Sequence, residues 1–253
     1  MRKLIFVLAL TVTFLSISLG QEKTWKDWSK SEAEKILNNS AWGQTQTETD
    51  TSEMVYRPTA GGTGSIGRSD GSRAPTGTTS SMNNNRVDQG ATNQAISVNY
   101  HIRLLSAKPV RQALMRVITI AQKSSSQELT EGLQAFVNRD FKDFIVVAVT
   151  IDSTDGRYSA PAQNAFNTAT IGTVKNTAYL ERKDGVRVFP IQYQAPINDG
   201  LGAKFIFPRR VDEREFLNEA SGSFRFYCEM SSQLKLNVTF KMSDLSYNGK
   251  LEY

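Results

Sequence analysis

The clearest pattern in the chain lies near its end. Phe224, Phe226, Cys228 and Met230 alternate with Arg225, Tyr227 and Glu229. After "SSQ", Leu234, Leu236, Val238, Phe240 and Met242 alternate with Lys235, Asn237, Thr239 and Lys241. A period of two places every apolar side chain of a strand on one face. It predicts two strands, each with one apolar and one polar face. The same period runs through Ile96, Val98, Tyr100, Ile102 and Leu104, with Ser97, Asn99, His101 and Arg103 opposite them. "FIVVAVTI", residues 144–151, is apolar at nearly every position. That suits a central strand covered on both faces.

Between these strands the period becomes helical. Ser106 is placed to cap a helix with Pro109 in its first turn, and Val110, Leu114, Val117, Ile118 and Ala121 form its stripe. Ser125 and Glu128 read as a capping box for a second helix whose Leu129, Leu133, Phe136 and Val137 face inward. If the strands flanking this helix pair are parallel neighbours, their crossover is right-handed. Further on, the sequence predicts a short helix near 160–170. A hairpin follows, from "TAYLER" through Lys183-Asp184-Gly185 to "VRVFPIQY". "AKFIFP" reads as a strand and "DEREFLNEA" as a short acidic helix or helical turn. Together these elements predict an α+β fold, a largely antiparallel sheet with two or three helices on one face.

Ahead of this domain, 94–253, stand three segments. Residues 21–56 predict a short helix and an edge strand. Ser29 and Glu32 make a capping box, and Ala33, Ile36 and Leu37 a narrow stripe. Trp25, Trp28 and Trp42, all the tryptophans of the chain, flank that helix. They are expected to dock it, and they are the candidate partner-contact aromatics. Residues 57–93 hold seven glycines and no aromatic residue, with Ile66, Met82 and Val87 as the only large apolar side chains. Such a segment buries too little to offset its ordering entropy, and it predicts a disordered loop interrupting a hairpin. Within it "GGTGSIG" fits G-x-G-x-x-G, but no strand precedes it and no helix follows, so no dinucleotide site is expected.

Trp28, Ser29, Glu32, Ala33, Ile36, Leu37, Ser40 and Trp42 spell W-S-x-x-E-A-x-x-I-L-x-x-S-x-W. In this motif, and in the tail "FKMSDLSYNGKLEY", the chain resembles an uncharacterised family of exported bacterial proteins. Ala41 stands where that family commonly has proline. The resemblance implies export and a shared fold; it brings no activity and no catalytic residue.

Residues 1–20 have Arg2 and Lys3, an apolar run from Leu4 to Leu15, and small Ser18 and Gly20 before Gln21. This is the pattern of a secretory signal peptide. It leads to the expectation of an exported protein, periplasmic, outer-envelope or extracellular, with no transmembrane segment after cleavage. Loss of Arg2 and Lys3 leaves 28 basic against 25 acidic residues, a net charge of +3. No dense basic tract accompanies that charge, so nucleic acid is not an expected partner. The one cysteine forbids an internal disulfide.

Candidate chemistry is sparse. His101 is the only histidine, and no H-E-x-x-H or C-x-x-C spacing exists, so no metal or cofactor is expected. Cys228 falls in an apolar register and is expected to be an inert core thiol. Asp152 and Asp155 end the central strand and open a loop, where active residues often sit. They are the candidate site of a carboxylate-dependent hydrolase acting on polysaccharide or peptide. The leading expectation is instead an exported cell-envelope protein that acts by non-enzymatic binding or scaffolding, with an envelope protein or a glycan as partner.

Overall fold

The computed structural model describes residues 23–50, 96–122, 126–197 and 199–253. The expected signal peptide and the 57–93 loop lie outside them. The helices are α1 (Lys30–Asn38), α2 (Lys108–Ala121), α3 (Gln127–Asn138), α4 (Gly156–Thr168) and α5 (Ile171–Val174). The longer strands are β1 (Gly43–Asp50), β2 (Ile96–Leu104), β3 (Phe144–Ser153), β4 (Ala178–Arg182), β7 (Ala203–Pro208), β10 (Ser223–Glu229) and β11 (Lys235–Lys241). Shorter ones are β5 (Arg187–Val188), β6 (Gln192–Gln194), β8 (Arg210–Val211), β9 (Arg214–Glu215), β12 (Ser246–Tyr247) and β13 (Lys250–Leu251). The protein is α+β, and the described strands pair antiparallel.

The longer strands divide between two sheets, ordered β1-β2-β3-β7-β6 and β11-β10-β4-β5. β1 and β2 pair from Gly43↔Arg103 to Asp50↔Ile96, so they are the arms of a hairpin with residues 51–95 between them. β2 and β3 are neighbours but antiparallel, which removes the question of crossover hand. The apolar faces of the two sheets meet. The Phe205 and Phe226 rings lie 5.4 Å apart, edge to face, and Phe207 touches Phe226 at 6.3 Å. Cys228, Leu236 and Phe240 are fully buried between the sheets, as the alternation predicts. At one edge, β1 laces the sheets together. Gln44 Nε2 donates to Thr239 O and Gln46 Nε2 to Lys235 O, both at 2.7 Å, while Asn237 N donates to Gln46 Oε1 at 2.9 Å. The Gln46 amide thereby does for β11 what a neighbouring strand would do.

α1 lies on the other face of the first sheet, where Arg103 reaches its last turn, and α2 and then α3 pack against it in turn. Its capping box is present in full: Ser29 Oγ accepts from Glu32 N and Glu32 accepts from Ser29 N. α4 lies on the opposite side, its Phe166 against Phe205.

Five local expectations change. Ser106 does not cap α2, whose N-cap is Ala107; its Oγ accepts from Val146 N instead and ties the helix start to β3. The cap of α3 is Ser126, whose side chain accepts from Leu129 N; Ser125 lies outside the described residues. α4 begins at Gly156, ahead of the expected 160, because Asp155 caps it and Pro161 is accommodated inside. "DEREFLNEA" is not a helix at its start. Arg210–Val211 and Arg214–Glu215 form a hairpin, with Asp212 and Glu213 in the left-handed region at φ 48° and 63°. Two successive positive φ values make the tight turn that suits a two-residue hairpin. Finally, "VRVFPIQY" is two strands: β5 stays in the second sheet, and β6 crosses to the first after Pro190.

Candidate functional site

The carboxylates after β3 come first. Asp155 accepts from Arg157 N at 3.0 Å as the cap of α4, and its side chain is clasped by the Arg157 guanidinium at 2.6 Å. The Arg157 side chain and then its backbone N–H hold the Asp155 carboxyl below its usual range. A carboxylate held this way serves the helix start. Asp152 is exposed on β3, opposite Asn99 of β2. His101 lies on the same sheet face, with Nδ1 2.8 Å from Thr45 Oγ1. Burial, then Arg103, hold its pKa below the ordinary value, while Asp152 opposes them. Cys228 is buried, and burial pushes its thiol pKa well up, so the thiolate nucleophile is disfavoured. Among the described residues, no group of three His, Cys, Asp or Glu side chains could hold a metal ion.

The outer face of the second sheet carries Arg225, Arg187 and Lys235, and each is answered by an acid. Arg225 lies 2.9 Å from Glu181, which also pairs with Arg187, and Lys235 lies 3.2 Å from Glu229. A cleft of about 430 Å³ gathers Arg111, Arg139 and Arg209. Arg111 and Arg209 direct their guanidiniums at main-chain carbonyls: Arg111 Nε donates to Val137 O at 3.2 Å and Arg209 Nε to Phe141 O at 3.1 Å. These arginines fasten loops.

The tryptophans build something different. Trp25 sits in a single 3-10 turn, Trp25–Asp27, and Trp28 directly precedes the Ser29 cap. Arg116 Nε, from α2, donates to Trp28 O at 2.5 Å and fixes this entry to the helix. Trp42 joins α1 to β1. Its carbonyl accepts from Leu104 N at 2.9 Å, and its indole Nε1 donates to Glu252 O at 2.8 Å. Tyr247 of β12 meets Trp42 edge-on at 5.9 Å and donates from its hydroxyl to Gln112 Oε1 at 2.7 Å. Asn248 and Gly249, at φ 52° and 72°, make the turn between β12 and β13. The expected docking role of the tryptophans is therefore present: Trp28 is buried, and Trp25 and Trp42 are packed against the core.

Between them these residues enclose a groove of about 880 Å³. Trp25, Trp42 and Tyr247 are half-buried along it, with Lys26, Ser246 and Asn248 at the exposed rim. Two donors in its lining are buried and unanswered. Gln112 is 4% exposed; its Oε1 accepts from Tyr247, but its amide N–H groups have no acceptor among the described residues. Trp28 is 9% exposed, and its indole N–H likewise has none. Each such group costs about 1–3 kcal/mol when left unpaired, so native proteins leave few of them. No Asp, Glu, His or Cys is among the described lining residues.

Sequence reasoning found the three tryptophans but not Gln112, Tyr247 or Asn248. The Asn248-Gly249 pair was a readable turn signal. Nothing local marks Gln112, since its partner lies 135 residues away. No protein-family model, curated protein or solved structure matches the chain.

Proposed function

We propose that this is an exported protein of the cell envelope, of the family whose tryptophan motif it carries, and that it acts by binding a partner rather than by catalysis. One observation carries the reading: the groove presents aromatic faces and two buried, unanswered donors, with no Asp, Glu, His or Cys in its described lining. That is the equipment of recognition. A site for hydrolysis would need a base or a paired carboxylate facing the ligand. Asp155 is held by Arg157 as a helix cap, a structural role that favours the binding reading. The apolar leader and the small residues before Gln21 support export. No helix among the described residues is long and apolar enough to cross a membrane.

The test has two arms. Amino-terminal sequencing of the protein recovered outside the cytoplasm should begin at Gln21; an intact amino terminus in the cytoplasmic fraction would remove export. Purified protein should co-sediment with envelope material, and Trp25→Ala should weaken that by about tenfold, the loss of about 1.4 kcal/mol. Equal sedimentation of the two proteins would remove the groove from the account.

A further inference from the structure

The groove's unanswered groups describe the ligand they would take. This step rests on the binding reading above and gives it a chemical class. Both buried groups, the Gln112 amide and the Trp28 indole, are donors, so the ligand must bring acceptor oxygens into the groove. The wall between them and the rim is aromatic: Trp25, Trp42 and Tyr247 are half-buried, with part of each side chain open to the groove. Such rings favour flat, C–H-rich surfaces that carry polar groups at their edges. At the rim, the Ser246 hydroxyl and the Asn248 amide make no hydrogen bond to a described residue and are exposed. The groove thus alternates apolar face, buried donor and exposed polar edge. Its volume, about 880 Å³, falls among ligand sites of about 300–1,000 Å³.

We propose that the groove binds a glycan whose sugars carry acetamido groups. A pyranose ring offers an apolar C–H face to the indoles and hydroxyls to the rim. The acetamido carbonyl is a neutral acceptor on a short arm, able to pass the rim and meet buried N–H donors, and its methyl group suits an indole wall. The charge agrees. No described lining residue is acidic, and Lys26, 5.8 Å from the Trp25 ring centroid, admits anionic substituents on the chain.

The three tryptophans are the only ones in the protein and all line this groove, so selectively excited tryptophan emission reports on it. Purified protein is titrated with chitotetraose, with cellotetraose, which has the same linkage and no acetamido group, and with an unstructured acetylated peptide. Chitotetraose should shift the emission saturably, and cellotetraose should bind at least about tenfold more weakly. Gln112→Met removes one donor at similar shape, and Trp28→Phe removes the other while trimming a buried ring; each should weaken chitotetraose by about tenfold. Asn248→Ala, on the exposed turn, tests the rim without touching the core and should weaken it by a smaller factor. Thermal unfolding shows which variants fold. Equal binding of the two sugars, chitotetraose binding unchanged in all folded variants, or saturable binding of the peptide alone would overturn the proposal. Absence of chitotetraose binding, with envelope co-sedimentation still lost in Trp25→Ala, would defeat the ligand class and leave the binding reading standing. Loss of both would end both.

Discussion

Gly43 is where a single methyl group should matter most. It follows Trp42 at the start of β1, directly beneath the end of α1. A Cβ there would lie 2.2 Å from Leu37 O, 2.6 Å from Leu37 C and 2.8 Å from Ile36 O, all backbone atoms. To restore a contact of 3.4 Å, the last turn of α1 must retreat by about 1.2 Å. Three hydrogen bonds oppose that movement. Ser40 N donates to Gly43 O at 2.7 Å, Gly43 N to Ser40 Oγ at 3.2 Å and Arg103 Nε to Leu37 O at 3.0 Å. At about 0.5–1.5 kcal/mol each, their weakening makes Gly43→Ala cost about 2–4 kcal/mol. The opposing gain from a stiffer unfolded chain is about 0.4–1 kcal/mol, so the loss wins. The net loss is then about 1–3.5 kcal/mol, and at about 2–4 °C per kcal/mol for a chain of this size the melting temperature should fall by about 2–14 °C. Circular dichroism on heating measures it. Tryptophan emission should shift red, since every tryptophan belongs to or flanks the displaced element. A melting temperature unchanged or raised, with unaltered emission, would refute the reasoning.

Cys228 in the native protein should resist a thiol reagent until global unfolding, since it is fully buried; rapid stoichiometric labelling would contradict its placement. Stability should fall on the alkaline side. Burial raises the folded pKa of Cys228 above its ordinary 9.0 and those of Tyr100 and Tyr193 above 10.0, so the unfolded chain loses these protons first. Their contribution is present below pH 9 and lost as pH rises from there, while Arg103, held down to about 10 by burial, opposes the trend only above that value. Melting temperatures measured from pH 8 to 11 check this, and Tyr193→Phe should flatten the slope above pH 10.

What the sequence disclosed, and what it hid, follows from the range of the interactions. The Ser29–Glu32 box and the β10–β11 alternation are set by neighbours within a few residues, and both were readable. The β8–β9 hairpin was not. Its turn places Asp212 and Glu213 at positive φ, where their local preference runs against the outcome, and it closes because Phe216 N bonds Arg209 O at 2.8 Å. The division into two sheets was equally hidden, since period two shows which side chains share a face but not which sheet that face belongs to. The groove lay beyond local reading for the same reason. Trp28, Gln112 and Tyr247 become neighbours only when an N-terminal turn, α2 and the final hairpin have all been placed.

Trp42 bonds to Glu252 across 210 residues, and Gln44 to Thr239 across 195. These contacts put a clock into the assembly. During synthesis, β1 and the tryptophan-bearing segment wait beside an unfinished second sheet, and the groove does not exist until the last hairpin arrives. Closing loops of that length is slow, so the groove should be the last feature this molecule completes as it folds.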